Sequence, residues 1–131
     1  MMFVLDTNTL IYFFKGMGRV SGKLLARSPK EIGIPAVVLY ELEVGLAKSA
    51  QPEKRQQQLA EMLAVVAILP FGSIEARQAA QIRATLEQAG KPIGPYDLLI
   101  AGTALAHNHT LVTHNVKEFG RIPRLLIEDW Y

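Results

Sequence analysis

Phe3-Val4-Leu5-Asp6-Thr7-Asn8 is the stretch on which the reading of this chain turns. Three apolar residues followed at once by three polar ones describe a short buried strand that delivers a polar cluster at its carboxyl end. Outward from it, a second short strand is expected around Ile32-Gly33-Ile34. Pro35 suits the first turn of a helix that runs through Leu39, Leu42 and Leu46 toward Ala50. Pro52 opens a further helix carrying Leu59, Met62 and Leu63, and Val65 to Pro70 supplies the next strand. Ser73 is the expected N-cap of a helix over Ile74 to Gln88, with Glu75 at its positive end and Gly90 stopping it. Pro95 starts a largely buried helix from Tyr96 to His107, which Asn108 ends. Thr110 to Thr113 reads as a strand, a polar turn runs through Asn115, and Leu125-Leu126-Ile127 is a last short strand. Strands alternating with helices predict an α/β fold of three layers: a mostly parallel sheet of four to five strands with helices on both faces.

The 131 residues fit one domain, 1–131, large enough to bury a core without staples. Half of them are hydrophobic, and no linker, repeat or low-complexity tract interrupts the chain, which excludes a disordered protein. There is no cysteine, so disulfide frameworks, thiolate metal sites and cysteine nucleophiles are excluded, and any metal must sit on oxygen or nitrogen. The opening residues lack the basic and long apolar regions of a signal peptide, and no apolar run is long enough for a membrane span; the expectation is a soluble, cytoplasmic protein. A net charge of +2 does not by itself point to nucleic acid. Distribution is more informative: Lys15, Arg19, Lys23, Arg27 and Lys30 follow one another with no acid between them, and the first four are spaced by four. On one helix they would form a basic stripe suited to RNA, although Gly16, Gly18 and Gly22 interrupt such a helix.

Sites in open α/β sheets gather beyond the carboxyl ends of the strands. Two of the three aspartates fall in suitable places: Asp6 directly after the first strand, and Asp97 in the first turn of a helix, where the dipole favours a carboxylate. Taken singly, Asp6 is also good turn chemistry and Asp97 is also ordinary helix chemistry. Together they suggest the oxygen-rich constellation that hard divalent cations prefer. A third acid belongs on the helix after the second strand. There Glu41 and Glu43 both have apolar neighbours on either side, and periodicity does not choose between them.

Four segments in order resemble the PIN-domain ribonuclease toxins of the VapC type, and the resemblance spans nearly the whole chain. The first is Phe3-Val4-Leu5-Asp6-Thr7-Asn8, and the second is the pair Glu41-Leu42, which selects Glu41 over Glu43. The third is Pro92-Ile93-Gly94-Pro95-Tyr96-Asp97 with its apolar helix. The fourth runs from Val112-Thr113-His114-Asn115 to Glu118-Phe119. One departure stands in the fourth segment, where many PIN domains carry an aspartate and this chain has Asn115. Glu118 replaces that acid across the turn, or Asn115 contributes through its amide, or three acids suffice.

The resemblance implies a metal-dependent endoribonuclease of a type II toxin–antitoxin module that inhibits translation. Asp6, Glu41 and Asp97 would hold Mg²⁺, or Mn²⁺, with Glu118 as a further catalytic acid. Thr7, Asn8, Thr113 and Asn115 would orient ligands or touch substrate. Metal-activated water would cut RNA to leave a 5′-phosphate and a 3′-hydroxyl, the leading substrate being the anticodon stem-loop of initiator tRNA. The implied partners are a VapB-type antitoxin that blocks the site and a second copy of the chain. The alternative is a PIN scaffold that grips RNA or protein without cutting, for which one of the core acids should be missing; all are present. A phosphatase with an aspartate nucleophile would need a second aspartate where Asn8 stands, and a receiver-type signalling domain would need paired acids and a late lysine. The three histidines, His107, His109 and His114, are not read as a catalytic cluster, since the first two flank a helix end where positive charge is welcome.

Overall fold

The structure, a computed structural model, describes residues 2–131. The strands are β1 (Phe3–Leu5), β2 (Ile32–Pro35), β3 (Ala67–Leu69), β4 (Thr110–Val112) and β5 (Leu126–Glu128). The helices are α1 (Thr7–Lys15), α2 (Val20–Leu25), α3 (Ala36–Lys48), α4 (Glu53–Leu63), α5 (Ser73–Gln88), α6 (Pro95–Ala106) and α7 (Val116–Phe119), with a 3-10 turn over Pro29–Glu31. All five strands are parallel, in the order β3-β2-β1-β4-β5, and helices flank the sheet. From β1 the chain crosses to β2 on one side and later to β4 on the other. The order therefore reverses between β1 and β4, and beyond the carboxyl ends of the strands at such a switch point open α/β sheets place their sites.

The central strands are apolar throughout because both of their faces are covered: Val4, Leu5, Ile34, Leu111 and Val112 are completely buried. The edge strands carry exposed side chains, Ile68 on β3 and Leu126 on β5. Beside them Trp130 is buried against Phe3, ring centroids 5.4 Å apart, and the Arg27 guanidinium lies 4.2 Å from the Phe3 ring centre. Two helices pack without a side chain between them at Gly102 of α6, where a Cβ would come within 2.7 Å of the Ala79 Cβ on α5.

Several expectations change in detail. The N-cap of α5 is Gly72, with Ser73 the first helical residue. Glu75 reaches back to accept from the Gly72 N–H at 2.7 Å, so the side-chain hydrogen bond at this end of the helix comes from a carboxylate three residues on and not from a Ser73 hydroxyl. The basic run does not form one helix. Gly16 and Gly18 adopt φ of 68° and 63°, a left-handed backbone that ends α1 and turns the chain before α2, so Lys15 is separated from Arg19, Lys23 and Arg27. Leu59 and Met62 belong to the core, with Leu63 packed partly against it. Among the described residues, no helix is long and apolar enough to cross a membrane.

Candidate active site

Asp6 stands at the junction of β1 and α1 and caps the helix: its Oδ1 accepts from the Thr9 N–H at 2.9 Å. The same residue is tied to β4, because its own N–H donates to the Val112 carbonyl at 3.2 Å. Thr113, the residue after β4, is fully buried and donates its hydroxyl to Asp6 Oδ2 at 2.6 Å, while accepting from the Asn115 N–H at 3.0 Å. One hydroxyl thus couples the first and fourth sequence segments at the switch point. Burial raises the Asp6 carboxyl above its usual range, more than the hydroxyl and N–H donors lower it.

Glu41, one turn and a half into α3, is half-buried and accepts from the Thr7 hydroxyl at 2.7 Å, whereas Glu43 is exposed. Burial and the Thr7 hydroxyl thus distinguish two glutamates that periodicity does not. Asp97 occupies the third position of α6, half-buried beside Gly94. Its carboxyl is pushed from 3.8 up to about 6, first by burial and then by the charges of Glu118, Asp6 and Glu41. Four carboxylates from α1's cap, α3, α6 and α7 therefore share one field. Among the described residues none of the four forms an ion pair; the ion pairs join Arg27 to Glu128, Arg83 to Glu87, His107 to Glu75 and His114 to Asp129. Equally, among the described residues, no three His, Asp or Glu side chains stand as a ready-made metal cage. The site concentrates carboxylates that no ion pair engages among the described residues, and a divalent cation would neutralise their charge. The donor set, all carboxylate oxygen with two side chains held by hydroxyls, fits Mg²⁺ or Mn²⁺.

Not every expected residue is drawn in. Asn8 is exposed on the first turn of α1, and the hydroxyls that hold Asp6 and Glu41 are those of Thr113 and Thr7. Asn115 contributes its backbone N–H to Thr113, while the acid of its segment that Asp97 feels is Glu118. The histidines separate as expected into groups without a common site, but their partners were not foreseen. His107 pairs with buried Glu75, and His109 stacks near His107. His114 pairs with Asp129 at 2.9 Å and stacks on Tyr131, centroids 4.3 Å apart. Sequence reasoning passed over Asp129, whose charge helps to raise Asp6. It also passed over the exposed pair Tyr40 and Tyr96, centroids 5.7 Å apart. A signal for that pair was present, since each tyrosine immediately precedes one of the acids.

A parallel α/β domain with clustered acids at its switch point defines a class of acid-centred, cation-seeking sites, and comparison with known proteins narrows it. The PIN domain family model matches residues 3–125, and the chain belongs to that family, in its VapC type. It is 38% identical to Ribonuclease VapC2 of Rickettsia felis, over 99% of this chain and 98% of that one. It is 36% identical to the tRNA(fMet)-specific endonuclease VapC of Salmonella typhimurium, over 98% and 97%. The crystal structure of VapBC2 from Rickettsia felis bound to a DNA fragment from their promoter contains a chain that superposes with a TM-score of 0.90, at 38% identity and full coverage of both chains.

Proposed function

We propose that this protein is an endoribonuclease that hydrolyses RNA phosphodiester bonds with Mg²⁺, or Mn²⁺, held by Asp6, Glu41 and Asp97, with Glu118 completing the acid cluster. The observation that carries the reading is the Asp97 carboxyl, raised to about 6 by burial and by three neighbouring acids with no basic side chain paired to any of them among the described residues. A fold keeps such repulsion where a ligand relieves it. Bound there, a divalent cation would neutralise charge growing on the phosphate oxygens and lower the pKa of attacking water.

The chain's own residues do the positioning. Thr113 fixes the Asp6 carboxylate from β4, and Thr7 fixes Glu41 from α1, so the two ligands are held by segments 107 and 34 residues away in sequence. The hydroxyls leave each carboxylate with lone pairs to spare. Burial of Asp6 and half-burial of Asp97 keep water from screening the field at the scissile phosphate.

The names of the relatives extend the proposal. A relative named for tRNA(fMet) supports tRNA as substrate class, with initiator tRNA cut in its anticodon stem-loop as the leading candidate. The VapBC complex supports a VapB-type antitoxin as partner, and the toxin itself is proposed to form a homodimer within that assembly. Inhibition of translation follows from loss of the tRNA. The test is incubation of the purified protein and its Asp6→Ala and Asp97→Ala variants with total tRNA, in Mg²⁺ or excess EDTA. Discrete cleavage that requires Mg²⁺ and is lost in both variants supports the proposal. Intact RNA from folded, antitoxin-free protein replaces it with a binding scaffold.

A further inference from the structure

We infer that the cavity beside Glu41, between the end of α1, the second half of α3 and the start of α4, is a binding site for a phosphate of the RNA strand next to the scissile one. This rests on the ribonuclease reading above and names the part of the substrate held outside the acids.

The cavity measures about 490 Å³, and its lining includes Glu41 together with Lys15, Lys54 and Arg55, with Ser49 and Gln51 as further polar groups. One edge is thus the proposed catalytic centre, while the rest carries three cations. Among the described residues none of the three belongs to an ion pair, although Glu41 lines the same cavity. Glu41 is already engaged by the Thr7 hydroxyl at 2.7 Å.

Two of the three cations stand where the helix dipole opposes them. Lys54 and Arg55 occupy the first turn of α4, the end of the helix dipole that disfavours positive charge. Arg55 is moreover pre-positioned: its Nη1 donates to Gln58 Oε1 at 2.6 Å, and its guanidinium carbon lies 5.2 Å from the centre of the Phe14 ring. A planar guanidinium held in this way offers its remaining N–H groups as a fork that matches phosphate oxygens. Lys15, the last residue of α1, lines the cavity one helical turn after Ile11, which lines it too. The left-handed turn at Gly16 that follows separates it from the expected basic stripe. Anionic, oxygen-rich and continuous with the substrate at the acid cluster, an RNA backbone phosphate is the ligand whose chemistry matches all three.

The experiment measures binding of a fluorescein-labelled single-stranded RNA 12-mer by anisotropy over a range of salt. It is done in Mg²⁺ and in the Asp97→Asn background to prevent cleavage, and it compares Lys15→Gln/Lys54→Gln with Lys91→Gln, an exposed lysine elsewhere. The double variant is expected to bind about 5–10-fold more weakly at low salt, with the slope of log K against log salt reduced by about 0.7 for each phosphate that is no longer neutralised. In the cleaving protein the same pair raises KM and leaves kcat unchanged. A single methylphosphonate linkage beside the cut should weaken wild type and add nothing to the defect of the variant. If affinity and slope match the Lys91→Gln control while tRNA is still cleaved, the cavity does not hold RNA, and an acidic protein segment becomes its occupant. If the protein neither binds nor cleaves RNA, the ribonuclease reading falls and the cavity assignment falls with it.

Discussion

Replacing Asp97 by Asn should stabilise the metal-free protein, although it removes a proposed ligand. A carboxyl raised from 3.8 to about 6 favours its neutral form in the folded state, and that difference corresponds to about 3 kcal/mol against ionisation. Solvent at the half-open site reduces the figure. Loss of a favourable acid in the first turn of α6 returns about 0.3–1 kcal/mol. A net gain of about 1–2 kcal/mol remains, or about 4–7 °C in Tm for a chain of this size. The pH dependence fixes the cause. Because the folded pKa is raised, the wild type keeps its full stability below about pH 4 and loses it as pH rises through about 6. The advantage of Asp97→Asn should therefore vanish near pH 4 and be complete at about pH 7.5. Calorimetric or fluorescence melts in EDTA at both values measure it. Added Mg²⁺ should reverse the order, raising the wild-type stability by the mass-action increment of about 2.7 kcal/mol at roughly a hundred times Kd, and the variant's by less. A variant less stable than wild type at the higher pH in EDTA, or one stabilised equally at the lower, would refute the repulsion at the centre of this account.

Glu41→Gln should abolish Mg²⁺-dependent cleavage of tRNA while Glu43→Gln retains it, as a gel assay at matched concentration reads directly. Thr113→Val should lower kcat at least tenfold with little change in KM, because Asp6 loses the hydroxyl that orients it, and should cost about 1–2 kcal/mol in urea melts; Thr113→Ser, which keeps the hydroxyl, should restore activity. Gly102→Ala should destabilise by about 1–3 kcal/mol, since its Cβ meets the Ala79 Cβ at 2.7 Å and the Ala79 backbone at 3.0 Å, with no flexible side chain to give way. Urea melts measure it, and because the clash also bears on α6, which carries Asp97, tRNA cleavage by the folded fraction should fall with it.

The strand ends and the acids were legible because each is marked locally. β1 stops where apolar residues give way to Asp6, and α6 starts where Pro95 fixes φ, so Asp6 and Asp97 could be placed on their elements before any tertiary contact was known. The first helix was not legible. Leu10 to Phe14 is apolar on nearly every side, since it carries core residues and partly buried ones together, and the 3.6-residue period is masked. α7, at four residues, is too short to show a period at all. The choice of Glu41 over Glu43 depends on Thr7 arriving from α1, a hydrogen bond across 34 residues that no local pattern encodes. Asp6 was open to two readings, a helix cap and a functional acid. The structure gives it the geometry of the first and the electrostatic surroundings of the second, for its two oxygens serve Thr9 and Thr113 separately. The basic run misled because spacing by four implies a shared face only on an unbroken helix, and Gly16 and Gly18 break it.

The most direct test of the central claim is the chemistry of the ends that the protein leaves on tRNA. Hydrolysis by water at a carboxylate-held cation predicts a 5′-phosphate and a 3′-hydroxyl, formed only with Mg²⁺ or Mn²⁺ and still formed when the scissile nucleotide lacks its 2′-hydroxyl. A 2′,3′-cyclic phosphate, or cleavage that persists in EDTA, would contradict it.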